Sequence, residues 1–153
     1  MTIDVTRQRV IPLSVEEVAA YAMDWRHDVE WTQGIRRAEL SRPADGGGFG
    51  TGAEVTRTAY FLGRRIDYVL RVAVWEPPRL LDMVSVTAPM PMHVTYSFDP
   101  HPGGGTLAGI RVRGGSGGVF RLLSPLLARQ VHSSIGKDLR DLERRLTVAK
   151  GAS

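Results

Sequence analysis

Residues 119–147 read VFRLLSPLLARQVHSSIGKDLRDLERRLT. Leu123, Leu127, Val131, Ile135, Leu139, Leu142 and Leu146 recur at steps of three and four. That spacing lays them on one stripe of an α-helix, because each residue advances by about 100°. Lys137, Arg140, Asp141, Arg144 and Arg145 fall mostly off the stripe, so the other side is solvated. The middle of the helix is thinned by Ala128, Ser133, Ser134 and Gly136. A glycine within a helix costs about 1 kcal/mol against alanine, so it has a packing or space reason. A helix that is apolar yet thin in its middle covers a volume without filling it. Leu139, Leu142 and Leu146 then anchor one end, and residues 128–136, with Val131, Ser134 and Ile135 among them, roof a cavity. Ser124-Pro125 matches an N-cap followed by proline at the first helical position, a place for the helix to restart.

Upstream of the helix, Gly114-Gly115-Ser116-Gly117-Gly118 reads as a hinge-like linker that lets the start of the helix shift as a ligand enters. Before it come strands, read from their period of two. They span Thr2–Pro12, Ile35–Arg42, Ala53–Leu62, Arg64–Trp75, Leu80–Thr87, Met92–Phe98 and Thr106–Arg113. Ile66, Tyr68, Leu70, Val72 and Val74 share one parity, with Asp67 and Arg71 on the other. This one-sided alternation indicates an antiparallel sheet with one covered face. Asp82 sets Leu81, Met83 and Ser85 inward, while Val94, Tyr96 and Phe98 face inward opposite an exposed His93. Turns fall at Asp45–Gly52, around Gly63, at Glu76–Arg79 and at Pro100–Gly105.

Between the first two strands, Ser14 and Glu17 form an S-x-x-E capping box, with Leu13 and Val18 at staple spacing. The helix they open is short and ends by Asp24. A second short helix or turn falls within Asp24–Thr32, DWRHDVEWT. The order is strand, two short helices, six or seven antiparallel strands, long helix. A sheet with one apolar face and a single long amphipathic helix buries both by curling around that helix. The expectation is an α+β domain over residues 1–148, with a short tail at 149–153 and a pocket between sheet and helix.

With 42% hydrophobic and 24% charged residues, the composition is that of an ordinary soluble domain. No cysteine is present, which removes disulfides and thiolate metal sites. Residues 1–9 carry no apolar signal region, and no apolar run approaches the ~18 residues of a membrane span. A cytoplasmic protein is the default. The 20 basic residues are nearly all Arg, which reads as the codon usage of a GC-rich bacterial genome. They are scattered among acids, so no nucleic-acid face forms.

Several motifs fall short of chemistry. Gly114-x-Ser116-x-Gly118 has the form of a nucleophile elbow, but that turn needs a parallel sheet and an acid before the histidine, and only His132 follows. Gly48-x-Gly50-x-x-Ala53 leads into a strand, where a dinucleotide fingerprint needs a helix. His27, Asp28 and Glu30 read as a solvated helix-turn surface, since a metal needs three or four convergent groups. The expectation is no metal and no cofactor.

The pattern resembles the START/Bet v 1-like (SRPBCC) superfamily, in particular the bacterial polyketide cyclase/dehydrase-like group. The resemblance rests on Ser14-Val15-Glu16-Glu17-Val18 with Tyr21 and Asp24, on Trp31, and on Gly50-Thr51-Gly52. It rests also on Val74-Trp75-Glu76-Pro77-Pro78-Arg79, Gly104-Gly105-Thr106 and Asp138-Leu139 with Leu142. It implies a helix-grip fold with an apolar cavity, shared by lipid carriers, hormone receptors, aromatase/cyclases and co-chaperones.

The candidate ligand-binding residues are Trp31, Tyr68, Met83, Tyr96, Val131, Ser134 and Ile135, with Met90 and Met92 at an adaptable mouth. Tyr68 and Tyr96 bring a phenol to an apolar wall, as cavity residues or as core residues with a bonded hydroxyl. Arg57 shares parity with Val55, Ala59 and Phe61, and facing inward it needs an acid or an anionic ligand group. The opposite parity turns Tyr60 inward instead. Tyr68, Tyr96 and Arg57 are also the catalytic candidates. Three functions follow: binding of a small hydrophobic molecule (lipid, polyketide or terpenoid-like), cofactor-independent cyclase, dehydratase or aromatase activity in the same cavity, and regulation of a protein partner. Monomer and homodimer both stay open.

Overall fold

The computed structural model describes residues 3–32, 34–61, 63–88, 91–114 and 119–151, with side chains except at 61, 119–124, 150 and 151. The hinge at 115–118, the Ser116 motif and Met90 therefore lie outside the described residues. Elements follow in the order β1 (Ile3–Ile11), α1 (Val15–Ala22), α2 (Asp28–Trp31), β2 (Ile35–Arg42), β3 (Glu54–Phe61) and β4 (Arg64–Glu76). Then come β5 (Leu80–Thr87), β6 (Met92–Pro100), β7 (Thr106–Gly114) and α3 (Val119–Gly151). The strands form one antiparallel seven-stranded sheet, ordered β1-β7-β6-β5-β4-β3-β2. Strands β2 to β7 are a plain meander, and β1 closes onto β7. With the long C-terminal helix over its inner face and two short helices after β1, this is the helix-grip fold.

The local signals act where the sequence places them. Ser14 Oγ accepts from the Glu17 N–H at 3.2 Å and caps α1, and Leu13 and Val18 are both buried. Asp24 caps the next turn, Trp25–His27, by accepting from the Arg26 N–H. Thr106 donates from its hydroxyl to the Leu13 carbonyl at 2.7 Å, tying the start of β7 to the start of α1. The core runs through Ile11, Val18, Leu70, Val72, Phe98, Leu139 and Leu142, all sealed from solvent.

Three sequence expectations change. Ser124-Pro125 does not restart the helix: α3 is continuous, with Pro125 inside it, and runs on to Gly151 in the segment read as a tail. The proline removes one N–H from the ladder. Next, β4 bulges between Val72 and Val74, so Val74 pairs with outward Asp82 and Trp75 pairs with inward Leu81. One extra residue reverses the parity beyond it. Trp75, not Val74, therefore packs inward, edge-on to Phe49 at 5.0 Å. Third, His93 lies on the outer face as its parity requires but is not free: it bonds Asp82 at 2.6 Å and Arg113 at 3.0 Å.

The thin middle of α3 has two causes rather than one. Ser134 faces the cavity described below, whereas Ser133 is exposed. Gly136 makes room for Arg7 of β1, whose guanidinium would lie 2.7–2.9 Å from an added Cβ. Arg7 donates to the His132 carbonyl at 3.1 Å, and two residues on Arg9 bonds Glu143 at 2.7 Å. These arginines stand at inward parity on β1 and clamp α3 to that edge of the sheet.

Gly136→Ala and Gly105→Ala should behave oppositely in urea unfolding. At Gly136 the obstacle is the far end of the flexible, half-buried Arg7 side chain, so the ~1 kcal/mol helix gain, less any weakening of the Arg7–His132 bond, leaves stability equal or slightly higher. At Gly105, φ is +80° and the new methyl meets the Ile11 carbonyl, so a loss of about 2 kcal/mol or more is expected.

Candidate functional site

A cavity of about 210 Å3 lies between α3 and the inner face of the sheet. Its floor comes from Arg57, Ala59, Ile66 and Tyr68 of β3–β4 and from Met92, Val94, Tyr96, Ile110 and Val112 of β6–β7. Val131, Ser134, Ile135 and Asp138 of α3 form the roof, and Thr32, Gly34 and Ile35 close one end. Tyr60, 48% exposed, stands at the rim. The wall is mostly apolar, with its floor polarity at one corner and Ser134 and Asp138 on the roof.

That corner is built by sheet register. Arg57 of β3 lies directly opposite Tyr68 of β4, so the two share the inner face as cross-strand neighbours. Arg57 is 4% exposed, which answers the open question of parity in its favour over Tyr60. Its acid is Asp28, the first residue of α2 and 1% exposed. Arg57 Nη2 and Nε donate to Asp28 Oδ2 at 2.8 and 3.1 Å. The structure corrects the expectation of a solvated surface at Asp28: its sequence neighbours are polar, but the short helix turns its side chain down onto Arg57 of β3. Burial pushes the Asp28 carboxyl up against the opposing pull of Arg57. Burial works against the Arg57 charge too, yet Asp28 outweighs it and holds the guanidinium firmly protonated.

The other two residues of the imagined metal cluster go elsewhere. Glu30 accepts from the Tyr21 hydroxyl at 2.7 Å, while the His27 ring stacks on Tyr21 at 4.2 Å and contacts its carbonyl at 2.9 Å. Among the described residues no group of three His, Cys, Asp or Glu converges on a metal position.

Tyr68 and Tyr96 both have their pKa values raised, chiefly by burial and against the pull of Arg57. Both are protonated hydrogen-bond donors at any ordinary pH. Five of the seven ligand candidates, Tyr68, Tyr96, Val131, Ser134 and Ile135, meet at this cavity. Trp31 and Met83 do not line it. Trp31 is buried beneath Tyr96, with ring centres 5.5 Å apart, and Met83 fills the core among Ala22, Val55 and Leu81. Large apolar side chains on inward positions fill the core wherever the helix comes close enough. Thr32, Ile35, Val94, Ile110, Val112 and Asp138 were missed as lining residues, although the inward parity of Ile110 and Val112 already pointed there.

A wider cleft of about 650 Å3 lies elsewhere, between α1, the Gly48-Phe49 loop and the Trp75–Pro78 corner. Of its charged members Glu16, Asp24 and Arg26, the last two pair with each other at 2.7 Å. Among the described residues it contains no buried ion pair, so the smaller cavity under α3, with Arg57 and Asp28 at its wall, is the candidate site.

The family described as polyketide cyclase / dehydrase and lipid transport matches residues 2–147. The chain belongs to that family. Members of the START superfamily share its architecture. A protein from Thermus thermophilus superposes with a TM-score of 0.81 at 19% identity, covering 95% of this chain and 98% of its own. A START superfamily protein from Mycobacterium smegmatis gives 0.79 at 12% identity, covering 96% and 99%. The Zhui aromatase/cyclase from a Streptomyces species gives 0.80 at 12% identity, covering 96% and 94%. At these identities the likeness is one of fold. No curated protein matches the sequence. Among the described residues no helix is long and apolar enough to cross a membrane.

Two measurements follow from the corner. Asp28→Ala strands a buried guanidinium and should cost ~3–5 kcal/mol in denaturant unfolding, and pairing Asp28→Leu with Arg57→Met should recover most of it. The phenols of Tyr21, Tyr68 and Tyr96 are all raised above the ordinary value of 10. Their contribution to stability is complete below pH 10 and is lost as pH rises toward the folded values. Phenolate absorbance of the native chain should therefore lag that of the urea-unfolded chain by at least about one pH unit.

Proposed function

We propose that this protein binds a small hydrophobic molecule in the cavity between the sheet and α3. The observation that carries the reading is the volume itself: apolar walls from four strands and a helix, with Arg57, Tyr68 and Tyr96 together on its floor. Binding pockets have this composition, a greasy lining that supplies affinity and a few placed polar groups that set orientation. Family membership supports it, since lipid transport stands in the family's description.

A second reading is cofactor-independent cyclase, dehydratase or aromatase chemistry on a polyketide-like substrate in the same space. One observation favours it: Arg57 and Tyr68 stand side by side, with Tyr96 on the same inner face, as donors able to polarise a carbonyl. Binding ranks first because both phenols are held protonated and Asp28 is committed to Arg57, which makes the corner richer in donors than in bases. Polyketide turnover by the wild type that is lost in the Tyr68→Phe/Tyr96→Phe variant, with binding retained, would reverse that order.

Ser134→Trp tests the binding reading. The indole would enter the roof where the cavity is narrowest in side chain, on a helix held elsewhere by Leu139 and Leu142. Fluorescence titration with neutral phenylnaphthylamine should show at least about a tenfold loss of affinity, with unchanged circular dichroism. Equal binding by the folded variant would remove the cavity as the site.

A further inference from the structure

We propose that the ligand is a neutral compound of one or two rings that offers a carbonyl or hydroxyl oxygen to the Arg57 corner, and that the site discriminates against carboxylates and long-chain lipids. This rests on the binding reading above and narrows it.

Size is the first constraint. A cavity of about 150 Å3 lined by aliphatic side chains takes up benzene. The space here is about 210 Å3, room for one substituted ring or a small fused pair. The two acyl chains of a phospholipid do not fit such a space.

Charge is the second. An arginine at the end of an apolar cavity normally marks a partner for an anion. Here that position is already filled, because Nε and Nη2 both donate to Asp28 Oδ2 and take two of the five guanidinium N–H groups. The roof adds a further carboxylate, Asp138, whose field acts on Tyr68 and Tyr96 in the same direction as that of Asp28. A ligand carboxylate would add a second negative group to a guanidinium that Asp28 already neutralises, in a place where burial already disfavours charge.

Donor chemistry is the third. Tyr68 and Tyr96 are neutral phenols on the cavity wall, with Ser134 opposite on the roof. A ketone or phenol oxygen satisfies such donors without bringing a charge. Arg57 already bonds both phenols, and a pure hydrocarbon offers their hydroxyl hydrogens no further acceptor. The corner thus selects neutral oxygen from both sides, against anions and against bare hydrocarbon.

Calorimetric titration of the full chain at pH 7 with naphthalene, naphthol, acetonaphthone and naphthoate holds size nearly constant and varies the polar group. Palmitate and dioleoylphosphatidylcholine supply the long-chain arm. Naphthol or acetonaphthone should bind at least about tenfold more tightly than naphthalene and than naphthoate, with no stoichiometric uptake of either lipid. Naphthoate equal to or better than the ketone overturns the charge argument. Stoichiometric lipid binding abolished by Ser134→Trp overturns the size argument while leaving cavity binding intact. No binding by any of the six compounds defeats the ligand class proposed here, and phenylnaphthylamine uptake sensitive to Ser134→Trp then decides whether the broader reading survives. The oxygen preference should vanish in the Asp28→Leu/Arg57→Met chain, or in Tyr68→Phe/Tyr96→Phe should the former not fold. Its persistence in the folded variant would show that another part of the wall sets it.

Discussion

The buried ion pair between Asp28 and Arg57 is the constraint to which this end of the molecule conforms. A guanidinium on the inner face of a sheet is tolerable only with a carboxylate beside it. The acid comes from a four-residue helix that packs against β2 and α3, turns Asp28 toward Arg57 of β3, and puts Trp31 at its far end under Tyr96. Ser14, the α1 cap, and Asp24, the cap of the following turn, serve the same end by delivering the chain to that spot. A matched pair of apolar side chains could fill the same space with equal or greater stability. The pair is therefore better understood through what it holds in place, a cation fixed at the wall of a cavity, than as a source of stability.

The cavity itself follows from where α3 sits. Arg7 and Arg9 draw the helix toward β1, through His132 and Glu143, and Gly136 lets the first of them lie flat across it. Leu139 and Leu142 complete the contact and are sealed. A helix held toward one edge of a curved sheet cannot also fill the hollow over the other half. The inner faces of β3 and β4 lie on that far side, and Arg57, Ala59, Ile66 and Tyr68 line the space. The clamp on β1 and the hollow that runs from β6–β7 to β3–β4 are two aspects of a single placement.

Much of this was legible in residue order, for a physical reason. Periods of 3.6 and 2 record which face of an element meets the core, and they gave α3, the strands and the inward tyrosines. The capping residues mark helix starts through local hydrogen bonds, and Ser14 and Glu17 lie three positions apart. What stayed hidden depends on partners distant in sequence or on a single inserted residue. Asp28 sits in DWRHDVEWT, a stretch that looks solvated by composition, and its partner is 29 residues on. Gly136 announced a need for space, but the occupant, Arg7, comes from the other end of the chain. At Val74 the alternation was read straight through a bulge, and the face reversed. Trp31 and Met83 show the remaining limit, because inward parity does not separate a core residue from a cavity residue when both are apolar.

The same placement explains why the polarity of the cavity floor collects around Arg57 instead of spreading along the strands. Near β1 the helix lies close enough for arginine side chains to cross from sheet to helix, so polar groups there find partners at the surface. Farther across the sheet α3 brings Ser134 and Asp138 to the roof, and the field of Asp138 acts on Tyr68 and Tyr96. Polar groups on that floor are answered chiefly from within the sheet and from α2. Arg57 meets both conditions, with Tyr68 across the strand and Asp28 above it. Elsewhere the floor carries Ala59, Ile66, Val94, Ile110 and Val112, which ask for no partner at all. Where a polar group can stand in this hollow is thus decided by the offset of α3, and that offset is set by two arginines on the opposite edge of the sheet.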